Sequence, residues 1–129
     1  MEKLQLIHSL KHWCDLIWEY NQTIGKIYVY RDKLAIKLEN NWYDPAELDR
    51  IIRQEYRFEI SRSDSFFSAD SVPEMVQKNT RLQEFDLWFC QKNRDLIWYN
   101  MRIEKLNQDS WIITGYNKST EMKERSMYR

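Results

Sequence analysis

Three successive runs near the C-terminus, Glu84 to Gln91, Leu96 to Leu106 and Ser110 to Tyr116, read as β-strands, the first two with a clear two-residue period of apolar and polar residues. Phe85, Leu87 and Phe89 alternate with Asp86, Trp88 and Cys90, and Ile97, Tyr99, Met101 and Ile103 alternate with Trp98, Asn100, Arg102 and Glu104. The short links between the runs make them one antiparallel meander with one face in the core. A three-residue loop, Asn93-Arg94-Asp95, pairs Phe89 with Tyr99, Leu87 with Met101 and Phe85 with Ile103. The opposite face mixes tryptophan with charge, the composition of a contact surface.

The period changes towards the N-terminus. Leu6, Ile7, Leu10, Trp13, Cys14, Ile17 and Trp18 recur at helical spacing, with His8, Lys11, His12, Asp15 and Glu19 opposite. This predicts a long amphipathic helix from Glu2 to about Tyr20, packed on a sheet. Lys26 to Arg31 and the alternating Leu34, Ile36 and Leu38 predict a hairpin around Asp32-Lys33. Asp44-Pro45-Ala46-Glu47 reads as a helix start, with Asp44 as cap, Pro45 in the first turn and Tyr43 against Leu48 as a staple; that helix runs to about Glu55. Tyr56 to Ser61 alternates as a strand, and Ser71 with Glu74 at capping-box spacing predicts a short helix from Val72 to Asn79. The order is α-β-β-α-β-α-β-β-β, an α+β fold with an antiparallel sheet packed against a long N-terminal helix.

Composition narrows the class. The 129 residues make one domain, 1–129, whose polar tail 118–129 is expected to fray. Lys+Arg and Asp+Glu both number 20, so no net field concentrates nucleic acid or an anionic membrane. No run approaches the ~18 apolar residues of a membrane span, and the start, Met1-Glu2-Lys3, leads into an interrupted apolar pattern unlike a secretory signal. Cys14 and Cys90 have no metal-ligand spacing and read as free thiols, so a cytoplasmic protein is expected. Neither Gly25 nor Gly115 has a second glycine nearby, which excludes the dinucleotide and nucleotide-phosphate loops.

Candidate chemistry is sparse. His8 and His12 are one helical turn apart, with Asp15 or Glu19 along the same stripe, but Ser9 stands where a metalloprotease needs its glutamate, and the solvated-face reading carries no metal. Cys14 belongs to the apolar face, as a core thiol rather than a nucleophile. Tyr99 is the one polar side chain pointing inward that a pocket enzyme would use. Arg50, Arg53 and Arg57 could meet phosphates, yet Asp49 and Glu55 dilute them, and nucleic acid is not expected. No catalytic residue and no cofactor are assigned. Trp88, Trp98, Asn100, Arg102 and Glu104, on the outer meander face, form the candidate partner-binding set.

The stretch Arg102-Ile103-Glu104-Lys105-Leu106-Asn107-Gln108-Asp109-Ser110-Trp111-Ile112-Ile113-Thr114 resembles the closing hairpin of the NTF2-like (cystatin-like cone) superfamily: a strand, a polar turn, and a tryptophan followed by aliphatics. With the helix near Ser71, the similarity covers about the last sixty residues. The resemblance implies a curved sheet wrapped around a long helix, with a pocket at its open end. It is compatible with isomerases and dehydratases, with small-ligand carriers, and with non-catalytic partners such as immunity proteins. The expectation drawn from the residues is a non-enzymatic module presenting an aromatic and charged sheet face to another protein, an immunity or inhibitor protein being one form. The alternative is an NTF2-like small-molecule binder or pocket enzyme.

Overall fold

Two antiparallel meanders meet at the centre of one sheet. The computed structural model describes residues 2–57, 68–78, 83–91 and 96–119, with side chains throughout except at 55–57, 78, 88–91 and 96. Helix α1 (Lys3–Leu10) precedes β1 (Leu16–Asn21), β2 (Lys26–Asp32) and β3 (Asn41–Tyr43). Helix α2 (Pro45–Glu55), the short β4 (Tyr56–Arg57) and helix α3 (Val72–Lys78) follow, and β5 (Gln83–Gln91), β6 (Leu96–Lys105) and β7 (Ser110–Asn117) close the chain. Among the described residues the sheet has seven strands in the order β3-β2-β1-β7-β6-β5-β4, all antiparallel. The α+β class and the antiparallel sheet stand. The element order is α-β-β-β-α-β-α-β-β-β, one strand more than the sequence pattern suggests.

That extra strand corrects the long N-terminal helix. α1 spans only eight residues, and the second half of the predicted helix is β1, the strand that joins the two meanders through β2 and β7. Leu16 to Tyr20 are all buried. A strand covered on both faces is apolar nearly throughout, so its residues also satisfy a helical spacing. Leu16, Trp18 and Tyr20 face the main core, where Leu48 and Ile52 of α2 and Val72 and Val76 of α3 pack on Val29, Tyr99, Met101, Ile103 and Ile113. Ile17 faces the opposite side and packs with Ile112 under Ile7 of α1.

The predicted hairpin partner of β2 is also corrected. Both Leu34 N–H (3.1 Å) and Ala35 N–H (3.2 Å) donate to the Asp32 carboxylate, which turns the chain and removes donors that a strand would need. Ile36–Leu38 is a single 3₁₀ turn, and β2 pairs with β3 instead. α2 starts at Pro45 as its signature predicts, with the Asp44 carbonyl accepting from Leu48 N–H at 2.9 Å. Ahead of α3 the capping box lies one turn earlier than the Ser71/Glu74 spacing suggests: Ser68 Oγ accepts from Ser71 N–H, and Ser71 Oγ accepts from Ser68 N–H.

In the C-terminal meander the facing is as the alternation predicts, and the pairing is shifted by two. Leu87 lies opposite Tyr99, Phe85 opposite Met101 and Phe89 opposite Ile97. An even shift keeps every side chain on its face, so Leu87, Tyr99, Met101 and Ile103 are buried. The loop assigned to Asn93-Arg94-Asp95 and most of the strand assigned to Tyr56–Ser61 lie outside the described residues, as does the tail beyond Ser119. Lys118 N–H donates to the Trp98 carbonyl, and Trp98 N–H donates to Ser119 Oγ, extending the β6–β7 ladder. Among the described residues no helix is long and apolar enough to cross a membrane.

Candidate interaction surface

α1 lies on the sheet face opposite α2 and α3, and a buried carboxylate under its first turn fixes it there. Glu19 is only 2% exposed. It accepts from the Tyr30 hydroxyl (2.7 Å) and from Ser110 Oγ (2.9 Å), and Lys3 Nζ of α1 is 3.4 Å away. Each oxygen is thereby satisfied from a neighbouring element, which is what a carboxylate needs to remain inside. Burial, and then the bond to Glu19, push the Tyr30 phenol above its ordinary range. Sequence spacing placed Glu19 on a solvated stripe with His8 and His12. The two imidazoles meet edge to face, with ring centroids 5.5 Å apart, while Glu19 belongs to β1 beneath the helix.

The segment after α1 is tied down by Asp15. Its amide donates to the Gly115 carbonyl (2.8 Å), its carboxylate accepts from Asn117 N–H (2.8 Å) and pairs with Lys33 (3.0 Å). Trp13 and Cys14 are thus held beside β7. Between this segment and β6 runs a groove of about 530 Å³, with Leu6, Leu10, Trp13 and Cys14 on one wall and Asn100, Arg102, Glu104 and Tyr116 on the other. Trp13 is 76% exposed and Tyr116 43%. The Cys14 thiol is held above its ordinary range, first by burial and then by Asp15, which suppresses the thiolate.

Three of the five residues assigned to partner binding line this groove. Asn100 donates to Asp86 (3.1 Å) and to Glu84 (3.3 Å), and Arg102 stands 4.0 Å from Glu84. These contacts make a polar ladder across β5 and β6, and Glu104 is exposed beside it. Trp98 is half-buried and lies outside the groove. Trp88 is its cross-strand partner in register, and the Trp88 side chain lies outside the described residues. Trp13, Leu10 and Tyr116 were missed. No local signal separates Trp13 from the predicted helix, because Leu16 to Tyr20 satisfy a helical spacing as well as that of a strand.

On the other side of α1 a second groove, of about 590 Å³, is lined by Lys11, Tyr30, Arg31, Lys33, Ile36, Glu39 and Asn40. An aromatic row, Tyr30, Tyr28 and Trp42, continues from it to the sheet edge, with successive centroids 4.6 and 5.1 Å apart. Tyr99, the inward polar side chain, is 1% exposed and packs in the main core. On α2, Arg53 is paired with Asp49 at 2.7 Å, which further dilutes the arginine row.

Comparison of the chain with protein-family models, with curated proteins and with solved structures gives no match.

Proposed function

We propose that this protein is a non-enzymatic interaction module that binds a protein partner with the α1 face of its sheet, an immunity or inhibitor role being one form. One observation supports this reading most: Trp13 and Tyr116, two large exposed aromatics, stand on opposite walls of a groove whose sheet wall also carries Asn100, Arg102 and Glu104. Aromatic anchors beside satisfied polar groups are the usual makeup of a contact centre and its rim. Asn100, Arg102 and Glu104 supply that rim.

A pocket enzyme or small-ligand carrier of NTF2-like type would use a cavity at Tyr99. The geometry there disfavours it, because Tyr99, Met101 and Leu16 close over the main chain of Gly115. The reading is tested by comparing proteins retained from a host lysate by the native chain and by Trp13→Ala and Arg102→Ala, followed by calorimetry with the purified partner. Loss of ~2 kcal/mol of binding in Trp13→Ala with an unchanged melting temperature is expected. Equal affinity in both variants would refute the assignment of this face.

A further inference from the structure

A β-bulge builds the second groove. Ile17 pairs with Arg31 and Trp18 with Val29, so Tyr30 is an extra residue in β2. Without it, strict alternation would turn Arg31 towards the main core and Asp32 outward. The bulge instead sets Arg31 beside Tyr30 at the groove and leaves Asp32 buried at 4% exposure.

Arg31 is half-buried, and its Nη1 donates to the Lys11 carbonyl at the end of α1. That bond holds the planar guanidinium and leaves its other N–H donors for a further acceptor. Among the described residues no carboxylate lies within ion-pair distance of Arg31 or Lys11, whereas Lys33 has Asp15 and Asp86 has Lys118. Two unpaired cations thus line one concavity. Lys33, offset by Asp15, adds little to their field and Glu39 subtracts from it, while Glu39 already accepts from Asp32 N–H at 3.0 Å. Ile36, 69% exposed, supplies an apolar wall. Asn40, in the left-handed region at φ 64°, borders the opening.

We infer that this groove receives a carboxylate side chain next to an aliphatic residue, presented by an acidic segment of the protein partner. The inference rests on the interaction-module reading and names the partner's chemistry. A carboxylate matches the guanidinium fork, and an aliphatic neighbour matches Ile36. A nucleic-acid strand fits less well. Its phosphates continue beyond the groove, and the same sheet face carries Glu84, Asp86 and Glu104, which repel an extended polyanion on a chain of zero net charge.

The test is a chemical-shift titration of the ¹⁵N-labelled full chain at low salt with acetyl-Gly-Glu-Leu-Glu-Gly-amide. Comparison probes are the same peptide with glutamine at both glutamates, inorganic phosphate, and a single-stranded deoxythymidine oligomer. The glutamate peptide should give saturable shifts at Lys11, Arg31, Lys33 and Asn40. Arg31→Gln and Lys11→Gln should each weaken it about tenfold, the equivalent of one charge-assisted hydrogen bond. Lys11 is exposed, so its variant keeps the test valid if Arg31→Gln fails to fold. Equal binding of the glutamine peptide, tighter binding of phosphate or the oligomer at these residues, shifts that survive both substitutions, or no saturable shift with any probe would each overturn the inference. Failure of the broader reading registers separately, as undiminished partner affinity in Trp13→Ala and Arg102→Ala, neither of which touches this groove.

Discussion

Tyr99 closes directly over Gly115: a methyl group on residue 115 would stand 2.9 Å from Tyr99 Cδ2, 2.9 Å from Met101 Sδ and 3.1 Å from Leu16 Cβ. Residue 115 lies where β7 passes between β1 and β6, opposite Leu16 on one side and Met101 on the other. The glycine serves close packing, not a turn, and it lets an aromatic side chain fill space that a pocket would need.

Gly115→Ala should therefore destabilise the fold by ~1–3 kcal/mol through overpacking, because the Tyr99 ring, Met101 Sδ and Leu16 Cβ must give way together. Urea denaturation measures it. In a Met101→Ala background the further cost of Gly115→Ala should be smaller; no loss at all in the native background would mean that the core at Tyr99 has room.

Tyr30→Phe removes one donor from a carboxylate that is otherwise sealed. Glu19 would keep Ser110 and the half-exposed Lys3, and the expected cost is about 1–3 kcal/mol for an under-satisfied buried charge. A double-mutant cycle with Glu19→Gln should show coupling between the two positions. Strict additivity would show that the 2.7 Å bond contributes nothing.

Stability should respond to pH through Asp32. Burial, opposed by the amides of Leu34 and Ala35 and by the Trp18 indole and reinforced by Glu39, pushes its carboxyl up from 3.8 to about 6. Between those values the folded state holds a proton that the unfolded state has released, so this contribution makes stability fall as pH rises through the window. Asp32→Asn keeps an acceptor for the turn and carries no charge. It should flatten that slope and gain roughly 2 kcal/mol relative to the native chain above pH 6. Denaturation at pH 4.5 and pH 7 decides it; an unchanged slope in the variant would assign the titration elsewhere.

Ile7→Ala and Trp13→Ala should separate anchoring from recognition. Ile7 is 4% exposed against Ile17 and Ile112, and losing it should release α1 at a cost of ~2 kcal/mol or more, seen as faster amide exchange over residues 3–10. Trp13→Ala should leave stability within about 0.5 kcal/mol and reduce partner affinity. Trp98→Ala, away from the groove, should weaken binding less than Trp13→Ala.

The facing of β5 and β6 was legible in the sequence because side-chain direction in a strand has a period of two, which any even shift of register preserves. The start of α2 was legible because its signal, Asp44-Pro45, acts within one turn. Asn100, Arg102 and Glu104 could be placed on one face for the same local reason. What lay beyond reach depended on partners far away in the chain. Leu16 to Tyr20 form a strand because β2 and β7 flank them and α1 caps their second face; without those neighbours the same residues satisfy a helical spacing equally well. Glu19 is buried because Tyr30 and Ser110 meet it from separate strands, and Arg31 reaches the α1 face because a bulge, fixed by the pairing of β1 with β2, reverses the alternation after Tyr30. Periodicity tells which residues share a face of one element, and only the tertiary structure decides which faces are covered and by what, because covering a face takes segments that local sequence does not bring together.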